Sequence, residues 1–258
     1  MMEILLISLV AFGVAILTFF SGFGLGTLLA PVMMFFFPVD VAIALTGIVH
    51  FVNNLFKLFL VGRHANRDVL MRFGIPAVLA AVAGALLMVR LAGAEPWFSY
   101  QLFQREWEVY PLKVLIGVVL FVFAWFDLLP VFAKLEFGRK WLSLGGALSG
   151  FFGGLSGNQG ALRAAFLIKA GLTKQAFVGT AVVVSTFVDL TRLGIYSSRM
   201  VEVGVSDNWQ VLVFASLSAI SGAIIGNRLL QKISLLFLQR FVGTMLLLIA
   251  LALIMGII

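Results

Sequence analysis

The chain has 258 residues, 62% of them hydrophobic and 11% charged, with a formal net charge of +7 and a mean hydropathy of +1.13. Soluble domains carry about 45–50% apolar and about 25% charged residues, and one core of this chain length could not hide the excess, so a soluble fold is excluded. With no cysteine, and only His50 and His64, disulfides, thiolate chemistry and a histidine-rich metal cluster are excluded too.

In chain order, an apolar run over 4–20 comes first. It lacks a basic start, carries Glu3 and shows no small-x-small cleavage site, so it does not read as a signal peptide. It runs into a glycine-rich passage with Ser21, Gly22, Gly24 and Gly26, and a short apolar piece, 27–37, ends at Pro38. Asp40 after that proline reads as an N-cap. Runs long enough to span a bilayer follow at 39–61, 70–92 and 111–133. The longest connection, 93–110, holds Pro96, Trp97, Tyr100, Trp107 and Tyr110, and such aromatics belong at the headgroup level. The second half repeats the order. A run at 141–153 meets a break with Gly153, Gly154, Ser156, Gly157, Asn158, Gln159 and Gly160, then come 161–171, 173–197, 207–230 and 235–257.

Glycine costs about 1 kcal/mol relative to alanine inside a helix, so two clusters at membrane depth need a reason. Irregular backbone in a bilayer persists only where protein buries it or it lines a polar cavity. Breaks at matching positions in two halves point to a transporter's binding site. The halves also align by residue: Ser21 and Gly22 fall on Ser156 and Gly157 at the offset that sets Asn54, Lys57 and Leu58 on Asp189, Arg192 and Leu193. The expected fold is therefore an all-α polytopic membrane protein of two inverted-topology repeats, 1–133 and 134–258. Each is a broken or re-entrant helix element followed by three transmembrane helices. Small residues Gly84, Ala85, Gly222, Ala223 and Gly226 are placed at helix contacts.

Loop charges orient the chain. Arg63, Arg67, Arg72, Lys134, Arg139, Lys140, Lys169, Lys174, Arg228 and Lys232 gather on one side, while the other mixes Arg90, Arg105, Lys113 and Arg199 with five acids. The positive-inside rule puts the first side in the cytoplasm and both termini outside a cytoplasmic (inner) membrane. The net positive charge thus belongs beside the bilayer rather than to a nucleic-acid surface.

Charged groups within the expected spans are Lys57, Asp127, Arg163, Asp189, Arg192 and Arg240. An ion at mid-membrane costs about 2.5–3.5 kcal/mol, so each needs a partner, a cavity or a substrate. Arg163 follows the second break in the first turn of the helix starting near Gly160. Free amides and the positive helix end favour an anion there, and a guanidinium adds a planar fork of donors. Either it contacts substrate or it bonds carbonyls freed by the break. Asn158 and Gln159 donate to an oxyanion or cap the flanking half-helices. Ser21 and Ser156 supply hydroxyls or only close packing, and Gly22, Gly24, Gly157 and Gly160 admit a ligand or only turn the chain. Asp189 and Arg192, three apart, pair with each other, or Asp189 couples a proton to the anion. Asp127 is a further coupling candidate. Arg192 and Lys57 are coupling candidates as well; Lys57 otherwise snorkels, as Arg240 does, and His50 is placed as a buried structural imidazole rather than a relay. No Walker loop, His-Glu-x-x-His or Gly-x-Ser-x-Gly occurs, which argues against ATP drive and intramembrane hydrolysis, so no enzyme and no cofactor is expected.

Gly22, Gly24, Gly26 and Pro31, then Gly145, Gly146, Gly150, Gly153, Gly154, Gly157, Gln159 and Gly160, together with the order of both halves, resemble the sulfite exporter TauE/SafE family of bacterial and archaeal permeases. The chain departs from that family's Gly-x-Gly-Gly and following proline in the second repeat, carrying Asn158-Gln159-Gly160 and Phe166 there. The resemblance implies a two-repeat permease moving sulfur-containing or organic anions, often outward, with the broken segments meeting near the membrane centre. The expected function is a secondary transporter exporting a small oxyanion such as sulfite or an organosulfonate by rocking of the repeats. Its partners are the anion, the bilayer and, if coupled, protons; no nucleic acid is expected, and the oligomeric state stays open. A passive anion channel, a permease for another organic anion and a non-transporting subunit are the alternatives.

Overall fold

The computed structural model describes residues 1–19, 25–102, 104–128, 137–168, 170–229 and 235–257. The described chain is mostly helical: α1 (Met2–Thr18), α2 (Leu25–Met33), α3 (Val39–Val61), α4 (Ile75–Ala92), α5 (Pro111–Leu128), α6 (Leu142–Ser156), α7 (Gly160–Leu167), α8 (Lys174–Glu202), α9 (Trp209–Leu229) and α10 (Leu235–Ile254). With their 3-10 and π-helical extensions, four are long and apolar enough to cross a membrane: Val39–His64, Arg67–Ala92, Lys174–Glu202 and Val205–Gly226. Met2–Thr18, Pro111–Trp125 and Gly243–Ile254 are shorter apolar helices. Leu79, Leu86, Phe187, Phe214, Leu217 and Leu248 stay exposed on their outer faces. Apolar surface of that extent suits a lipid environment rather than water.

Local chemistry sets the helix ends. Thr173 caps α8 by accepting the Ala176 N–H at 3.2 Å. Asn66 accepts the Val69 N–H at 3.1 Å and starts the helical stretch that leads into α4. Proline removes a backbone donor and crowds the preceding turn, and the chain accommodates Pro76 through a π-helical passage, Leu70–Gly74. Pro38, extended at φ −50 and ψ 150, precedes α3. Asp40 is therefore not the cap expected of it: it lies in the first turn of α3 and pairs with Arg199 at 3.1 Å.

Glycines set the helix contacts. A Cβ on Gly146, Gly150 or Gly154 of α6 would collide with the backbone carbonyls of Phe73, Ala77 and Ala81, respectively, so α6 lies directly on α4 and its π-helical lead. Gly84 of α4 fits against Phe151 and Leu155 in the same way. Gly222 of α9 sits on the Phe12 carbonyl of α1, and Gly117 of α5 on Ala250 of α10. α3 and α8 run antiparallel, with Gly179 at the start of α8 against Val61 at the end of α3. Small residues let backbones approach where lipid gives no hydrophobic drive to association.

One element departs from the all-α expectation. β1 (Phe98–Leu102) and β2 (Arg105–Val109) form an antiparallel hairpin within the 93–110 connection, in register Phe98 with Val109 and Tyr100 with Trp107. Its Tyr100 hydroxyl donates to the Met255 carbonyl at 2.5 Å, fastening the hairpin to the end of α10.

Candidate functional site

The second break is shorter than the sequence suggests. α6 continues through Gly153 and Gly154 to Ser156, with Gly154 seated on the Ala81 carbonyl of α4 and Gly153 facing Val188 of α8 and Gln159. Only Gly157–Gln159 depart from helix before α7 begins at Gly160. Gly157 takes φ +80, and its N–H returns to the Gly153 carbonyl at 3.0 Å, a left-handed helix end that suits glycine. The Tyr196 hydroxyl of α8 donates to the Gly154 carbonyl and lies 3.3 Å from that of Leu155. Ser156 donates to the Phe152 carbonyl at 3.1 Å. Gln159, at the N-cap of α7, makes no side-chain capping bond. The described end of the first break meets the second: a Cβ on Gly26 would lie 3.3 Å from the Gly157 carbonyl. Ser21, Gly22 and Gly24 lie outside the described residues, as does the side chain of Asp127 in α5. Arg240 of α10 is exposed.

Beside this meeting point, α3 and α8 turn two polar stripes toward each other. Thr46, His50, Asn54 and Lys57 recur at three- and four-residue steps on α3, and Ser185, Asp189, Arg192 and Tyr196 do so on α8. All eight are buried. The Asp189 carboxylate ties the stripes together: Oδ2 lies 2.6 Å from His50 Nδ1 and accepts from Asn54 Nδ2 at 2.9 Å, while Oδ1 accepts from Arg192 Nε at 3.0 Å. Asp189 and Arg192 thus pair within one helix face, and His50 joins them from across the chain.

Next to that network a small cavity is lined by Thr18, Phe19, His50, Asn54, Lys57, Arg163 and Ser185, among others. Its space of about 30 Å³ is two to three times what one water needs, room for a guest of a few atoms. Lys57 is only 5% exposed, so it does not snorkel as expected; its Nζ lies 5.1 Å from the centre of the Phe19 ring and faces the cavity. Arg163 in α7 is 4% exposed and donates to the Ser185 hydroxyl. Asn158 Oδ1, both amide atoms of Gln159 and of Asn53, and the hydroxyls of Thr27 and Thr46 find no hydrogen-bond partner among the described residues. An unmet buried polar atom costs about 1–3 kcal/mol, so these groups, none of which lines the cavity, call for partners beyond the described residues.

His50, Asn54, Ser185 and Thr18 line the cavity; the sequence reading places His50 as a structural imidazole and Asn54 only through the repeat match, and gives Ser185 and Thr18 no role. The available signal was the shared spacing of polar residues along 46–57 and 185–196, which reads as one helix face on each side. Phe166, where the TauE/SafE pattern has proline, stacks on Phe137 at 4.3 Å and covers Gly145. It shapes the far side of α7 rather than the cavity.

A buried cationic cavity near the Gly157–Gln159 break, in a bundle with membrane-spanning helices, suits a membrane transport protein. The chain belongs to the sulfite exporter TauE/SafE family, whose model it matches over residues 7–253. Members of that family are transporters rather than enzymes. No curated protein and no solved structure matches the chain.

Proposed function

We propose that the protein is a secondary transporter exporting a small sulfur-containing oxyanion, with the cavity between α3, α7 and α8 as its binding site. The observation that carries this reading is a surplus of buried positive charge. Around the cavity and its network stand Lys57, Arg163 and Arg192 against the single carboxylate of Asp189 among the described residues. Buried cations are costly in a membrane, and an anion bound in the cavity offsets that cost beside Lys57 and Arg163. Arg163 supplies the directional contact to the oxyanion, Lys57 the second charge, and Asn54 and Thr18 lie within reach as neutral partners.

An inverted repeat is supported by the way the halves exchange contacts. α1 lies on α9 and α6 on α4, so each half gives its broken element to the other, as a two-fold relation requires. Asn54 and Asp189, matched to each other in the sequence repeat, are hydrogen-bonded at 2.9 Å, where such an axis would pass. Alternating access then opens the site to one face at a time. With both termini outside, an inside-negative potential favours outward movement of a lone anion by about 2.3 kcal/mol per 100 mV, without a coupled ion.

The test is flux of labelled sulfite from proteoliposomes, with sulfoacetate and chloride as competitors. Saturable efflux is expected from wild type, and Arg163→Ala should raise half-saturation by about tenfold or more, the scale of a charge-assisted hydrogen bond. Flux from folded wild type that rises linearly with concentration would establish a passive pore instead. Flux no greater than that of empty liposomes would refute transport of this anion.

A further inference from the structure

A second cavity lies at the other end of the α3–α8 seam. It holds about 500 Å³ and is walled by Phe35, Phe37, Leu91, Tyr110 and Lys113, with Asp40 and Arg199 also in its wall. Phe35 is 57% exposed and marks its mouth. The binding cavity draws on the opposite ends of the same two helices, from His50 to Lys57 on α3 and from Phe177 to Ser185 on α8. About 15 Å of α3 separates His50 from Asp40.

Between the two cavities the helices are in close contact. A Cβ on Gly47 of α3 would lie 3.1 Å from Leu193 Cδ2 and 3.5 Å from Arg192 Cζ, both on α8. Ile43, Arg192 and Tyr196 in this stretch are 0% exposed. The way from one cavity to the other along the seam is therefore closed.

One guanidinium holds the seam at the end beside the larger cavity. Arg199, in the last turn of α8, donates through Nε to Asp40 Oδ2 at 3.1 Å, in the first turn of α3. Its Nη2 donates to the carbonyl of Ala92, the last residue of α4, at 3.2 Å, and its Nη1 to Glu202 of its own helix at 3.0 Å. One side chain thus ties three helix ends. The far end of the seam is held differently, by Gly179 seated on the Val61 carbonyl, a backbone contact with no side chain to swing away. Charge-assisted hydrogen bonds hold firmly, yet they part without any backbone being reshaped.

We infer that Arg199 and Asp40 form the gate between the binding cavity and the larger cavity, which is the exit vestibule on the face that carries the 98–109 hairpin. The inference rests on the exporter reading for what passes, and it adds the residues that close the way out. When Arg199 leaves Asp40 and Ala92, the ends of α3, α4 and α8 are freed from one another. The vestibule then extends down the seam past Ile43 toward Asp189.

The chain has no cysteine, so a single introduced thiol reports this movement alone. Ile43 lies between Asp40 and Gly47, the α3 residues that meet Arg199 and Arg192 of α8. The experiment measures the rate at which a charged maleimide labels Ile43→Cys in the full chain in detergent. It is made with the clamp intact and with Asp40→Asn, with Arg199→Gln, and with Lys113→Gln, which lines the vestibule outside the clamp. Leu246→Cys, buried on α10 outside the seam, reports general loosening. Both clamp variants are expected to speed labelling at position 43 by about tenfold or more, while Lys113→Gln at position 43 and every variant at position 246 stay within about twofold of the intact clamp. Rates at position 43 within about twofold in both clamp variants would overturn the inference. Equal acceleration at position 246, or labelling at position 43 as fast as at the exposed Phe35→Cys with the clamp intact, would overturn it too. Where Ile43→Cys fails to fold, Thr46→Cys, close in shape and at a site 1% exposed, takes its place. Labelling needs no transport, so absence of sulfite flux from folded wild type would refute the exporter reading separately.

Discussion

Replacing Asp189 with asparagine keeps the shape of the side chain and removes only its charge and one acceptor. The carboxylate meets His50 at 2.6 Å, Asn54 at 2.9 Å and Arg192 at 3.0 Å, with no water-exposed surface of its own. An amide has one oxygen and one NH2. With its oxygen toward Arg192, its NH2 confronts the Asn54 NH2; turned over, the NH2 confronts the guanidinium. Both orientations set donor against donor and leave the Arg192 charge uncompensated. Removing one partner of a buried pair costs about 3–5 kcal/mol. At about 2–4 °C per kcal/mol for a chain of this size, Tm should fall by roughly 6–20 °C. Thermal unfolding of the purified protein in detergent, followed by the fluorescence of its five tryptophans, reads the shift directly. The double variant Asp189→Asn with Arg192→Gln should lose less than the sum of its parts, with a coupling of about 0.5–3 kcal/mol. A Tm within about 2 °C of wild type for Asp189→Asn, or a strictly additive double variant, would refute the network as drawn.

Two other substitutions probe how α6 is held. Gly150→Ala drives a methyl into the Ala77 carbonyl and should cost about 1–3 kcal/mol or prevent folding, whereas Gly194→Ala, with nothing within 4 Å, should be neutral or stabilise by up to about 1 kcal/mol. Equal Tm values for the two variants would contradict the close contact. Tyr196→Phe takes the hydroxyl from the Gly154 and Leu155 carbonyls and should lower stability by about 0.5–1.5 kcal/mol in the same unfolding assay; an unchanged Tm would mean that water serves those carbonyls equally well.

Hydropathy and glycine placement made most of the helices legible. The run expected at 39–61 is α3 residue for residue, and the described break at Gly157–Gln159 lies where a glycine cluster interrupts apolar sequence. Length was less legible. α8 continues to Glu202, five residues past the expected end, because the apolar run stops at a solvent-facing turn while the backbone pattern does not. The hairpin at 98–109 was hidden because aromatic residues in a connection read equally as headgroup anchors, and pairing of two five-residue strands leaves no hydropathy signal. Among the site residues, Arg163 and the Asp189–Arg192 pair stood out as charges in apolar sequence. His50 did not, since its partner is 139 residues away and a lone histidine carries no sign of it. Lys57 was placed near water by its distance from the helix end, but the approach of Phe19 and α7 covers it, and only the tertiary arrangement shows that.

The run of carbonyls seated in Gly146, Gly150 and Gly154 has a mechanical consequence. A fit with no clearance at successive turns lets neither helix slide or roll on the other, so α4 and α6 form one strut although they come from different halves of the chain. The seating of Gly222 on Phe12 makes a second strut of α1 and α9. Whatever motion carries an anion across, its shear plane cannot follow the midpoint of the sequence; it must run between struts that each contain a helix from both halves. The seam of α3 and α8 joins the two halves as well, tied by Arg199 to Asp40 at one end, by Asp189 to His50 and Asn54 in the middle, and by Gly179 seated on the Val61 carbonyl at the other.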